Sequence, residues 1–118
     1  MIKLIPLEKT IRTLIVRFLR LNGVFCWVNR NERSWQRFCQ NEGDLPGVSD
    51  ICGVLKPNGL FFAFEVKRPG RPAPFTDAQK NFRNKVRSSG GIAERVESIE
   101  EVAHHLRNYL NRNVIHTP

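Results

Sequence analysis

Three residues of this chain could do chemistry together: Asp50, Glu65 and Lys67. They fall in residues 48–55 and 60–67, two runs whose β-branched and aromatic residues predict strands. Between the runs stands Lys56-Pro57-Asn58-Gly59, with Pro and Gly where a tight turn wants them. With Pro57 and Asn58 at the centre of that turn, Lys56 faces Gly59 and Asp50 falls opposite Glu65. Residues paired this way have Cβ atoms about 4.5–5.5 Å apart. Lys67, two positions beyond Glu65, projects from the same face. A turn centred on Asn58-Gly59 keeps all three on one face, whereas a three-residue loop would send Asp50 to the other.

Two carboxylates directly opposite each other repel, and a cation between them removes the conflict. Oxygen ligands with no Cys or His suit Mg²⁺ or Mn²⁺. Such an ion polarises a phosphodiester and generates hydroxide from water. Lys67 could orient that water or stabilise transition-state charge. The Val66 carbonyl, lying between the two functional side chains, is a further candidate ligand. The plain alternative makes Asp50 a turn cap and Glu65 and Lys67 the wet face of an amphipathic strand. Against it, the rest of that strand is Leu-Phe-Phe-Ala-Phe-Val, too apolar for an exposed edge.

The bulk properties agree with a polyanion as partner. The 118 residues suit one domain, 1–118, with a modest core. Nineteen Lys and Arg against eleven Asp and Glu give a net charge of +8, which attracts nucleic acid first and acidic membranes second. No apolar run approaches the roughly 20 residues that cross a bilayer, and the N-terminus has no signal-peptide pattern. Cys26, Cys39 and Cys52 are odd in number and form no CxxC pair, so neither a disulfide framework nor a zinc cluster is expected. A reducing, intracellular setting follows, in the cytoplasm or nucleoid.

Leu7, Ile11, Leu14, Ile15, Phe18 and Leu21 give a helix over about 6–22, with Pro6 at its start and Gly23 at its stop. A strand follows over 24–28, then a polar loop over 29–46 with Arg30, Arg33, Trp35 and Arg37. After the two central strands, three prolines and a glycine keep 68–75 irregular. Thr76-Asp77-Ala78-Gln79 is a capping box opening a helix to about Ser89, ended by Gly90-Gly91. Residues 92–96 form a short strand. Ser98-Ile99-Glu100-Glu101 is a second capping box, and Ile99, Val102, Ala103, Leu106 and Leu110 give the last helix its apolar face. The order is α-β-β-β-α-β-α. His104, His105 and His116 have no metal-ligand spacing with another candidate.

Gly47-Val48-Ser49-Asp50-Ile51, then Glu65-Val66-Lys67 with fourteen residues between the two acids, then Thr76-Asp77-Ala78-Gln79 with Phe82, resembles the virus-type replication-repair nuclease (VRR-NUC) domain. That family belongs to the PD-(D/E)XK nuclease superfamily, and the resemblance runs from Glu8 to about Val96. Ser49 stands where the family often replaces its proline by serine. The resemblance implies an α/β, restriction-endonuclease-like core with a central mixed sheet flanked by helices, and metal-dependent phosphodiester cleavage. It makes Asp50 and Glu65 metal ligands and Lys67 the catalytic lysine. It also matches Glu8 to an acid on the first helix and Gln79 to an active-site glutamine. Each has a simpler reading: Glu8 as a first-turn acid favoured by the helix dipole, Gln79 as the capping partner of Thr76.

Residues 67–87 hold seven basic residues and one acid, a net of +6. Arg68, Arg71, Lys80 and Arg83 are the expected phosphate contacts, joined by Arg30, Arg33 and Arg37 from the loop. Stand-alone members of the family resemble Holliday-junction resolvases and are expected to be homodimers, because paired incisions need two sites. The expectation is an endonuclease of branched DNA using Mg²⁺ or Mn²⁺ and no small-molecule cofactor. The alternatives are the same chemistry on flap, nicked or linear duplex DNA, and a DNA-binding module that does not cleave.

Overall fold

A computed structural model describes residues 5–29, 45–70 and 74–115, with side chains described as far as Tyr109. The elements are α1 (Glu8–Leu21), β1 (Phe25–Val28), β2 (Ile51–Leu55), β3 (Leu60–Val66), α2 (Asp77–Ser88), β4 (Ile92–Val96) and α3 (Ile99–Ile115). They stand in the expected α-β-β-β-α-β-α order and form a mixed sheet, β1-β2-β3-β4. The first three strands are antiparallel, and β4 joins β3 in parallel. A parallel neighbour needs a crossover, which α2 provides.

Strand β3 is central and covered on both sides, which explains its nearly unbroken apolar sequence. Its alternate residues sort the molecule into two layers. Phe62, Phe64 and Val66 meet Ile11, Ile15, Val16 and Leu19 of α1 and Val102 of α3. Ala63 faces the other way, in a smaller cluster with Cys52, Ala93 and Phe82 of α2. Glu65 follows Ala63 on that second face.

The buried face of α1 differs from the expected stripe by part of a turn. Ile11, Ile15, Val16 and Leu19 are inside, whereas Leu7, Leu14 and Leu21 are exposed. Position in the layer, not apolarity alone, decided which side chains were covered. At α3 the second capping box is modified. Ser98 Oγ accepts from the Glu101 N–H at 3.2 Å, but the Glu101 carboxylate accepts from the N–H of Glu97, one residue earlier, at 2.6 Å. Among the described residues, no helix is long and apolar enough to cross a membrane. Cys26 and Cys52 are free and buried, while Cys39 lies outside the described residues.

Candidate active site

The β2–β3 hairpin sets the geometry. Its register runs from Leu55↔Leu60 to Ile51↔Phe64, so continuing one step places Asp50 opposite Glu65, as the turn arithmetic requires. The connection is a four-residue turn, 56–59, rather than a two-residue one. The Gly59 N–H donates to the Leu55 carbonyl at 2.9 Å, and Gly59 sits at φ 70°, a conformation that favours glycine. Asp50 itself stands outside the ladder. Its Oδ2 accepts from the backbone N–H of Val66 at 2.9 Å, which ties the acid to the strand carrying Glu65 and Lys67.

Asn29, just past β1, holds the other side of Asp50. Its backbone N–H donates to the Asp50 carbonyl at 2.8 Å. Its side-chain Nδ2 donates to the Ser49 carbonyl at 2.8 Å and to Cys52 Sγ at 3.1 Å. Sequence reasoning missed this residue: an asparagine after a strand reads as ordinary loop, and its partners are 20 to 23 positions away. Gly47 fixes the same segment from behind. It has φ 80°, and a Cβ there would stand 2.3 Å from the Ala78 carbonyl and 2.6 Å from the Gln79 nitrogen. Only glycine lets this backbone lie against the first turn of α2.

Glu65 is 6% exposed. Its Oε1 accepts from Gln79 Nε2 at 3.0 Å and lies 3.7 Å from Lys67 Nζ. Its Oε2 is buried with no partner among the described residues. Burial and then the charge of Asp50 push this carboxyl from an ordinary value of 4.5 up to about 7, against the pull of Lys67. Gln79 unites its two readings. Its Oε1 accepts from the Thr76 N–H at 2.9 Å, completing the capping box, while its Nε2 reaches Glu65.

The donor set is of the type that suits a hard divalent cation. It offers two facing carboxylates, one with a buried oxygen left unsatisfied, and no soft ligand in its ionised form. Burial pushes the neighbouring Cys52 thiol up to about 11; the Asn29 bond works against this, and the charges of Asp50 and Glu65 reinforce it. Among the described residues no group of three or more His, Cys, Asp and Glu could hold a metal. Two carboxylates alone fit Mg²⁺, which keeps several waters and takes one or two protein carboxylates with substrate oxygens.

The remaining expected residues are placed variously. Glu8 is exposed in the first turn of α1. Arg68 follows Lys67 and donates through Nη2 to the Ile5 carbonyl at 3.2 Å, pinning the chain before α1 to the end of β3. Arg83, half-buried, lies 4.8 Å over the ring of Phe75. Lys80 is exposed on α2. Arg30, Arg33, Trp35, Arg37, Arg71 and His116 lie outside the described residues. His104 pairs with Asn108 at 3.2 Å and His105 stacks on Phe64, both away from the carboxylates on the α1–α3 side.

No protein-family model matches the sequence, and no curated protein does. A solved structure does match: a VRR_NUC domain protein, with a TM-score of 0.67 and 16% identity, over 92% of this chain and 91% of that one. At that identity the likeness is one of fold. The chain has the architecture of that VRR_NUC domain protein, as its sequence motifs led one to expect.

Proposed function

We propose that residues 1–118 act as one divalent-metal-dependent endonuclease domain that hydrolyses phosphodiester bonds in branched DNA, four-way junctions first, as a homodimer. The observation that carries this reading is Glu65: a buried carboxylate, held by Gln79 and Lys67 through one oxygen, with the other unsatisfied beside the charge of Asp50. An arrangement of that kind costs stability, and a structural role does not require it. The likeness to a VRR_NUC domain protein and the +8 charge support the same reading.

Asp50 and Glu65 would hold Mg²⁺ or Mn²⁺, with the Val66 carbonyl as a further ligand. When bound, the ion supplies Lewis-acid polarisation of the phosphodiester and an activated water. Lys67 offers its ammonium to charge building on the phosphoryl oxygens, or orients the attacking water. Gln79 fixes the Glu65 carboxylate, while Asn29 and the Val66 N–H fix Asp50. Glu8 is the acid that the first helix would contribute. Arg68, Arg71, Lys80, Arg83, Arg30, Arg33 and Arg37 would take backbone phosphates, which gives affinity without sequence preference.

The test is cleavage of a four-way junction, a flap, a nicked duplex and a linear duplex by purified protein with Mg²⁺ or Mn²⁺. Junction cutting should be fastest and should fall by about 10²–10³-fold or more in Lys67→Ala and Asp50→Ala, the scale of losing a key electrostatic group. Equal rates on all four substrates would remove the junction preference but keep the chemistry. Metal-independent binding with no cleavage of any substrate would replace the enzyme by a binding module.

A further inference from the structure

We propose that Arg95 is a phosphate-binding residue of this site, gripping the nucleic-acid backbone on the β4 side of Glu65. The proposal rests on the nuclease reading, because it takes the ligand to be a nucleic-acid phosphodiester.

The parallel register pairs Arg95 with Glu65 and Ala93 with Ala63. Laterally paired residues share a face, and Ala93 is buried in the α2-side cluster, so Arg95 rises from the same face as Glu65 and Lys67. An arginine beside a buried carboxylate would ordinarily bind it. Here the guanidinium makes its ion pair elsewhere, with Glu97 Oε1 at 3.1 Å, two residues further along the chain. That pair draws Arg95 towards the carboxyl ends of β3 and β4, the end at which Lys67 also lies and where open α/β sheets bind ligands. Glu97 is a firm anchor, since its own N–H is held by the Glu101 carboxylate at the start of α3.

The side chain is thus positioned in advance, 28% exposed, with its Nε buried and without a hydrogen-bond partner. Arg83, one turn beyond Gln79 on α2, has a buried Nε in the same condition. Two incompletely satisfied guanidinium groups thus come from α2 and β4, the two elements that adjoin Glu65 on this face of the sheet. Guanidinium is the group suited to bidentate phosphate contact, and its planar fork needs such an anchor to be directed.

Electrostatic contact with phosphate has a signature that structural roles lack, the slope of log affinity against log salt. Binding of a junction and of a linear duplex would be followed by fluorescence anisotropy in EDTA across a salt series. Wild type, Arg95→Gln, Arg95→Lys and a control, Arg17→Gln on the exposed side of α1, would be compared. Thermal melting would confirm that each is folded. Arg95→Gln should lower the magnitude of the slope by about 0.9, the value of one lost phosphate contact to duplex, and weaken binding at every salt concentration. Arg95→Lys should keep most of the slope while binding less tightly, and Arg17→Gln should leave the slope unchanged. An unchanged slope in Arg95→Gln, or an equal fall in Arg17→Gln, overturns the proposal while leaving the nuclease reading intact. Failure of the wild type to bind either DNA overturns both.

Discussion

The two faces of the sheet are built to opposite specifications. Towards α1 and α3 lie Phe62, Phe64, Val66, Ile15 and Leu19, large, apolar and fully buried. Towards α2 the same strands present Ala63, Ala93 and Cys52, small side chains that let the helix approach, followed by Asp50, Glu65, Lys67 and Arg95 at the end of the sheet where β2 begins and β3 and β4 finish. The first face gains stability from burial alone. The second brings two carboxylates together, buries one of them, and leaves a carboxylate oxygen and an arginine Nε without partners. Alternation along β3 lets one strand serve both purposes, because residues 62, 64 and 66 can be optimised without moving 63, 65 and 67.

That division can be broken most forcefully on the apolar side. Phe64→Ala should cost about 3–5 kcal/mol, the usual loss for a buried phenylalanine, and much of the domain's margin with it. Denaturant unfolding would measure it, and a loss below about 1 kcal/mol would show that this face is not the stabilising one. Asn29→Ala attacks the polar side from behind. It removes the two side-chain bonds to Ser49 and Cys52 that flank Asp50. Cation affinity should fall about 10–100-fold, the range found for residues that orient metal ligands, while unfolding stability changes by only about 1–2 kcal/mol. Unchanged affinity for Mn²⁺ by calorimetry would mean that the strand alone holds Asp50.

How much of this was legible beforehand follows the range of the interactions. The hairpin register is local, so the turn residues sufficed to put Asp50 opposite Glu65 even though the turn has four residues rather than two. The Thr76–Gln79 capping box is also local, but the second bond of Gln79, to Glu65, crosses 14 positions, and only the family resemblance pointed to it. Asn29 and Arg95 carry no local signal. One depends on where β1 ends beside β2, the other on a parallel register that the α2 crossover sets. The face of α1 was rotated for a related reason: Leu7, Leu14 and Leu21 fit an apolar stripe as well as Ile11, Val16 and Leu19 do, and packing against the sheet chose between them.

Glu65 joins the comparison to a single measurement. Its carboxyl, raised from 4.5 to about 7, binds its proton more tightly folded than unfolded. Without metal, its contribution to stability is therefore greatest below about pH 4.5 and is lost as pH rises towards 7. A cation needs the ionised form, so its affinity should rise over the same interval and binding should release a proton at the acid end. Calorimetric titration of Mn²⁺ into wild type, Asp50→Ala and Glu65→Gln at pH 6 and pH 8 tests this directly. Binding should be tighter at pH 8, release a proton at pH 6 and be lost in both variants, although Glu65→Gln, freed of a buried charge, should be at least as stable as wild type at pH 8. Binding that neither substitution disturbs, or no binding by the wild type at either pH, would contradict this.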